Sequence, residues 1–127
     1  MRRAFVSIVA IAALSILASN PLAAREIDIT VSPHVINIAS ASTVVTVHTD
    51  IAYSAVDGAS VALNGIEIDW WKSDNRGYFV AKFVAGEVKE IVDPGTTATL
   101  TLEGWTKLRG SFSVSDDVDV IEVKKKR

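Results

Sequence analysis

The sequence predicts an all-β protein, a β-sandwich of about seven to nine short antiparallel strands with one short helix. Apolar and polar residues alternate in several short segments, which is the period-two pattern of strands with one buried face. Turn-forming pairs such as Asn64-Gly65 and Pro94-Gly95 separate these segments at hairpin spacing. Because helices do not alternate with the strands, two antiparallel layers are expected rather than a parallel sheet.

The individual elements follow from local pattern. The predicted strands cover residues 26–31, 35–38, 43–51, 61–63, 66–71, 78–83, 97–102, 111–115 and 118–123. Asn64-Gly65 favours a type I′ turn between two of them, because both residues tolerate positive φ. Residues 85–92 form the only predicted helix, which Asp93-Pro94-Gly95 ends.

Residues 1–24 have the pattern of an export signal. Arg2 and Arg3 form a basic start, residues 4–18 are an uncharged and mostly apolar run, and Asn20-Pro21 breaks the helix before Ala24. An uncleaved membrane anchor is the alternative, but the apolar run rises only about 22 Å as a helix, short of the roughly 30 Å hydrocarbon core. We therefore expect a signal peptide helix cleaved after residue 24, a sandwich domain at 25–123 and a basic tail at 124–127. The predicted location is extracytoplasmic, periplasmic or secreted, in a bacterium, with no membrane span left after cleavage.

Cysteine content and charge narrow the function. The chain has no cysteine, so the core must stabilise the domain without disulfides. Residues 25–123 carry seven basic against fifteen acidic side chains, a net charge of −8. Nucleic acid binding needs a basic face that neutralises phosphates, so this composition argues against nucleic acid as a partner.

Several segments resemble a recurrent immunoglobulin-like module of bacterial and archaeal surface proteins. The similar segments are residues 61–68, the turn 74–77 with the following 80–83, and residues 100–104. Gly110 with Phe112, and the aspartate-rich residues 116–120, are similar to the end of that module. The resemblance spans nearly all of the chain after the signal and implies an immunoglobulin-like sandwich. It further implies an accessory role in exported proteins without established catalysis.

Enzymatic chemistry has few candidate residues. A nucleophilic hydrolase needs a hydroxyl or thiol with a base and an orienting group. His34 and His48 are the only histidines, and neither lies in a recognised motif. A glycosidase needs two opposed carboxylates in a cleft, which a small sandwich hardly offers. We therefore expect a protein that is not an enzyme.

Calcium is the one metal with candidate ligands. Zinc requires several histidines or cysteines, which the chain lacks. Asp74, Asp117 and Asp119 are the calcium candidates, but calcium takes six to eight oxygens, and strand alternation directs Asp116 away from Asp117 and Asp119. Aspartates at strand ends also form turns and protect sheet edges. We expect no cofactor, with calcium as the alternative.

The tryptophans are the candidate binding residues. Trp70 and Trp71 are adjacent, so alternation sends them to opposite faces. Trp70 continues the apolar face of its strand, so we expect Trp70 in the core and Trp71 at the surface, unless a bulge exchanges them. The resemblance aligns Trp71, not Trp70, with the Trp-x-x-Asp pattern of the module. Trp105 begins a predicted hairpin at 105–110 and is expected to be accessible.

These observations predict a noncatalytic extracytoplasmic binding or structural module that mediates protein interaction or surface assembly. Its expected partner is an envelope or extracellular protein. The alternative is a carbohydrate-binding module in which exposed Trp71 and Trp105 stack on a polysaccharide, since indoles serve both purposes. A calcium-stabilised adhesion module and a small exported enzyme are the further alternatives.

Overall fold

The computed structural model describes residues 26–124, and these form two β-sheets. The predicted signal peptide at residues 1–24 and residues 125–127 of the predicted tail lie outside the described part. The strands are β1 Ile29–Ser32, β2 Val35–Asn37, β3 Val44–Ala52, β4 Val56–Leu63, β5 Ile66–Glu67, β6 Trp70–Ser73, β7 Tyr78–Val84, β8 Thr96–Thr106 and β9 Ser111–Ile121. A 3₁₀ turn (Tyr53–Ala55) and helix α1 (Ala85–Lys89) accompany them. The predicted all-β class is confirmed.

The two sheets have the strand orders β1-β3-β7-β6 and β2-β9-β8-β4-β5. Neighbouring strands are antiparallel except β2 and β9, which are parallel, with Val35 opposite Asp119. This pair corrects the prediction that the strands are all antiparallel. It arises because the chain passes from the first sheet to the second between Ser32 and Val35, through a cis Ser32–Pro33 peptide bond, without reversing direction.

The predicted hairpin at Asn64-Gly65 is confirmed. Both residues have positive φ, 47° and 85°, as a type I′ turn requires. Leu63 lies opposite Ile66 across the hairpin. The Asn64 side chain also binds the neighbouring strand β8, because its Oδ1 accepts the Thr101 N–H at 2.6 Å and its Nδ2 donates to the Thr99 carbonyl at 3.2 Å.

Several predicted boundaries are wrong. β4 begins at Val56 and not at residue 61, and β8 ends at Thr106 and not at residue 102. The predicted strands 111–115 and 118–123 form one strand, β9, which runs from Ser111 to Ile121 because Asp116 and Asp117 continue the alternation instead of forming a turn. In the register Asp116 lies opposite Leu100 and Asp117 opposite Thr99. Helix α1 is shorter than the predicted 85–92, since it ends at Lys89.

The core lies between the sheets and is formed by inward-facing side chains of both. The largest fully buried side chains include Phe79 and Phe83 on β7, Leu63 on β4, and Leu100 and Leu102 on β8. Each such side chain stabilises the fold by about 1.5–3 kcal/mol relative to full exposure. Phe79 and Phe83 of β7 belong to this core, which stabilises the two sheets without a disulfide.

A side-chain hydrogen bond connects the two sheets at the edge formed by β1. The Asp116 carboxylate on β9 accepts a hydrogen bond from the Val31 N–H on β1, at 2.9 Å. Since β1 is an edge strand, this bond satisfies a backbone donor that would otherwise be unpaired. Within residues 26–124, no helix is long and apolar enough to cross a membrane.

Candidate functional site

Trp105 lies near the end of β8, on the outer face of the five-stranded sheet. Its neighbours Gly104 and Thr106 are buried, so alternation directs the indole away from the core. It lies opposite Asp57 on β4 and Ser111 on β9, and 54 % of its surface is exposed. Trp105 is accessible as predicted, although it belongs to a strand and not to the start of a hairpin turn.

The pairing of β4 with β8 is irregular beside Trp105, and the Ser60 side chain holds the Trp105 backbone there. The pairing of β4 with β8 shifts between Asp57 and Ala62. There the Ser60 hydroxyl accepts the Trp105 N–H at 2.9 Å and donates to the Asp57 carbonyl at 2.6 Å. The hydroxyl thus supplies an acceptor where the register is irregular, and the indole stands on a fixed backbone. Ser60 is not among the residues predicted from the sequence. Gly58 and Ala59, the small residues before it inside the strand, are typical of irregular strand pairing and were the available signal.

Two grooves adjoin the Trp105 indole. The first has a volume of about 570 Å³, and Ser60, Glu103 and Ser113 are among its lining residues. The second has a volume of about 510 Å³ and includes Asp57, Lys107 and Arg109. The first groove therefore offers hydroxyls and a carboxylate beside the indole, and the second offers two cations and one carboxylate.

The turn from β8 to β9 is held by Thr106, which is buried. The Thr106 N–H donates to the Gly110 carbonyl at 2.7 Å, and its hydroxyl accepts the Gly110 N–H at 2.9 Å. The Arg109 N–H donates to the Thr106 carbonyl at 3.0 Å, and the Lys107 N–H donates to the Ala55 carbonyl at 2.9 Å. These bonds fix the path of the turn, in which Arg109 has a φ of 71°.

The side chains of this turn are displayed to solvent beside Trp105. Leu108 is 88 % exposed, the most exposed large apolar side chain of the described residues. Neither the Lys107 ammonium nor the Arg109 guanidinium has a hydrogen bond or ion pair with any residue in 26–124. We call Trp105, Lys107, Leu108 and Arg109 the turn site. It combines two exposed apolar side chains with two cations that form no ion pair within the described residues.

Trp70 and Trp71 face in the directions opposite to those predicted, with Trp71 inward and Trp70 outward. Trp71 lies opposite Ala81, which is fully buried, whereas Trp70 lies opposite Lys82. The Trp71 indole contacts the backbone of Gly58 on β4, in the other sheet, so closely that a Cβ there would collide with it. Trp71 therefore faces inward at the open side of the two sheets and remains 37 % exposed, while Trp70 faces outward and is 48 % exposed.

A change of sheet explains this exchange. β5 pairs with β4 in the five-stranded sheet, and β6 pairs with β7 in the four-stranded sheet. The chain crosses between the sheets at Ile68 and Asp69, so the alternation that begins at Ile66 does not continue to Trp70. A period-two pattern predicts faces only within one continuous strand.

Trp71 and Trp105 do not share a binding surface. Gly58 presents its inner side to Trp71, and its neighbour Asp57 shares the outer face with Trp105. The two indoles therefore lie on opposite faces of the five-stranded sheet. The structure therefore does not bring these two predicted binding residues together on one face.

Trp70, which the sequence assigned to the core, belongs to a row of side chains across the four-stranded sheet. The Lys82 ammonium lies 5.5 Å from the centre of the Trp70 ring and donates to the Thr46 hydroxyl at 3.0 Å. This cation–π contact engages one side of the indole with the protein itself.

Asp74, a calcium candidate, organises the turn between β6 and β7. Its Oδ1 accepts the N–H groups of Arg76 at 2.8 Å and Tyr78 at 2.9 Å. The hydrogen bond from the Tyr78 backbone, with smaller contributions from Arg76 and Gly77, lowers the pKa of the Asp74 carboxyl below its usual value. The carboxylate thus has a structural role in the turn.

Asp117 and Asp119, the other calcium candidates, lie on the outer face of β9 beside threonines of β8. The Thr99 hydroxyl donates to Asp117 at 2.7 Å, and the Thr97 hydroxyl donates to Asp119 at 3.2 Å. Asp116 points away from both, as predicted, since it binds the Val31 N–H. Among residues 26–124, no three acidic or histidine side chains are grouped as metal ligands would be.

The two histidines lie apart. His34 is exposed in the link between β1 and β2, and His48 is exposed on β3 opposite Thr30 and Val80. Within the described part of the chain, no serine or threonine hydroxyl is hydrogen-bonded to either imidazole. Neither histidine is thus placed to activate a nucleophile.

Comparison with protein-family models, with curated proteins and with solved structures finds no match for this chain.

Proposed function

We propose that this protein is a noncatalytic extracytoplasmic binding module with an immunoglobulin-like sandwich, which acts by protein interaction or surface assembly through the turn site. The exported location rests on the signal pattern of residues 1–24. The partner is an envelope or extracellular protein.

Strand order supports the immunoglobulin-like assignment. The order β1-β3-β7-β6 corresponds to strands A-B-E-D of that fold, and β9-β8-β4 corresponds to G-F-C. One chain segment supplies an edge strand to both sheets. Its first part is β1, at the edge of the four-stranded sheet, and its second part is β2, at the edge of the five-stranded sheet. The resemblance of residues 61–68 and 100–104 to a module of surface proteins agrees with this assignment.

The observation that carries the functional proposal is the exposure of Trp105 and Leu108 on a fixed backbone. Apolar side chains of this size contribute binding energy when a partner removes them from water, and tryptophan and arginine dominate the energetics of protein interfaces. Because the bonds of Ser60 and Thr106 already hold the backbone, little conformational entropy is lost when a partner binds. The turn site therefore suits a protein contact.

The test is capture from an envelope extract of the native source, with two variants. The purified wild-type protein should retain a discrete protein, and Trp105→Ala should lose it. Trp70→Ala is the matched control, because Trp70 is similarly exposed but lies on the other sheet. Equal capture by wild type and Trp105→Ala would contradict the proposal.

Carbohydrate binding is the second candidate, and the first groove is the observation that favours it. The hydroxyls of Ser60 and Ser113 and the Glu103 carboxylate lie around the Trp105 indole, as a stacked sugar ring would require. Retention on an insoluble polysaccharide that Trp105→Ala and Glu103→Ala both abolish would establish this candidate in place of a protein contact.

A further inference from the structure

We propose that the turn site binds an acidic segment of the partner protein, with carboxylates at Lys107 and Arg109 and an apolar side chain against Trp105 and Leu108. This inference rests on the proposed function and names the chemistry of the partner. It follows from the charge distribution, the backbone of the turn and the grooves beside Trp105.

The charge distribution distinguishes this turn from the rest of the domain. Residues 25–123 carry fifteen acidic and only seven basic side chains, and two of the seven are Lys107 and Arg109. Lys82 and Lys89 are engaged elsewhere, by Thr46 and by the carbonyls of Ser40 and Ser42. An acidic segment is repelled by most of the domain and attracted to the turn, so charge also orients its approach.

The backbone of the turn places the arginine at an energetic cost. Arg109 has a φ of 71°, a left-handed conformation that glycine adopts without strain. The Asn64 residue has a similar conformation, but its side chain makes two hydrogen bonds that stabilise its hairpin. The Arg109 side chain has no such bond within the described residues. A strained residue with an unused guanidinium points to an external ligand.

The grooves define the direction of the bound segment. Trp105 lines both grooves; the second contains Lys107 and Arg109 with Asp57, and the first contains Glu103 without a cation. Carboxylates of the partner are attracted to Lys107 and Arg109 in the second groove and repelled by Glu103 in the first groove. The guanidinium binds a carboxylate through two parallel hydrogen bonds, which gives Arg109 the greater part in orientation.

The experiment is a selection of random peptides displayed on phage against the purified full chain. Peptides that bind should be enriched in aspartate and glutamate around an aromatic or aliphatic residue. Their affinity should fall at least tenfold in Trp105→Ala and in the double variant Lys107→Glu/Arg109→Glu, and should weaken as salt is raised. The control is Lys72→Glu/Arg76→Glu, which makes the same charge change on the other sheet and should bind as wild type.

Each other outcome overturns the inference in a distinct way. Selected peptides whose binding depends on Trp105 but that are not acidic would agree with the proposed function and contradict the inference that the partner segment is acidic. An equal loss of peptide affinity in the control variant would show that peptide binding depends only on the net charge of the domain. If no peptide depends on Trp105, both the inference and the protein contact fail. Binding of a uronic acid polysaccharide at the same residues, without peptide binding, would replace the acidic protein with an acidic glycan.

Discussion

The Trp71 indole lies directly against the backbone of Gly58, and this contact joins the two sheets at their open side. Trp71 belongs to β6 of the four-stranded sheet, and Gly58 belongs to β4 of the five-stranded sheet. A side chain at position 58 would occupy the space of the ring. The glycine is therefore required for the indole to cover the core at the β6 edge. The hydrogen bond of Asp116 connects the sheets only at the opposite edge, at β1.

Gly58→Ala should destabilise the protein by about 1–3 kcal/mol, because the added methyl group forces the indole or the strand to move. The urea midpoint measures this loss, and the tryptophan emission should shift as Trp71 becomes more exposed. Gly86→Ala is the matched control, since a Cβ at Gly86 meets nothing within 4 Å and lies in helix α1. In a Trp71→Ala background the cost of Gly58→Ala should nearly vanish; an undiminished cost there would contradict the contact.

Asp74 should make the stability dependent on pH in the acid range. Its pKa is lowered in the folded protein, so its contribution is complete above the ordinary carboxyl pKa of about 4 and is lost as pH falls through the lowered value. Asp74→Asn keeps an oxygen acceptor for the N–H groups of Arg76 and Tyr78 but does not titrate. Urea midpoints of the variant should therefore fall less than those of wild type between pH 5 and pH 2. Identical slopes for both proteins would contradict this role.

Asp116→Ala should cost about 1–2 kcal/mol, because the Val31 N–H on the edge strand β1 loses its partner. Amide hydrogen exchange at Val31 should rise together with the loss of stability. Asp116→Asn retains an acceptor oxygen and should keep most of the protection. Exchange at Val31 that is the same in the alanine and asparagine variants would show that the bond does not protect the edge.

The sequence predicts those features that depend on neighbouring residues. Alternation identifies β7 as a strand, and the turn chemistry of Asn64-Gly65 identifies the β4–β5 hairpin. Both signals are local, so they need no knowledge of the partner strands. The sequence predicts the exposure of Trp105 from its place at a hairpin, although the residue lies within β8.

Features that depend on the pairing of distant strands are not predicted. The faces of Trp70 and Trp71 depend on the passage of the chain from β5 in one sheet to β6 in the other. Asp116 resembles a turn residue until the Val31 N–H is known to lie beside it. Likewise, Ser60 becomes part of the site only because β4 shifts its register against β8 at that point.

Calcium should leave the thermal stability almost unchanged. The candidate carboxylates are separated, with Asp74 bound to backbone N–H groups and Asp117 and Asp119 bound to threonine hydroxyls. Calcium requires six to eight converging oxygens. We expect the Tm in millimolar calcium to equal that in magnesium or a chelator within about 1 °C. A rise of several degrees that is specific to calcium and absent in Asp117→Asn/Asp119→Asn would restore the calcium-stabilised alternative.

Arg109 and Asn64, the two residues within 26–124 other than glycine that have a positive φ, should respond in opposite ways to replacement by glycine. Arg109→Gly relieves the strain at φ 71° and removes no hydrogen bond of the described residues, so the free energy of unfolding should rise by about 0.5–1 kcal/mol. Asn64→Gly relieves similar strain but deletes the side-chain bonds to Thr99 and Thr101, so it should lower stability by about 1 kcal/mol. Urea unfolding of the two variants under the same conditions gives both values. A loss of stability in Arg109→Gly would mean that the guanidinium stabilises the turn, which would contradict its proposed role in binding an external carboxylate.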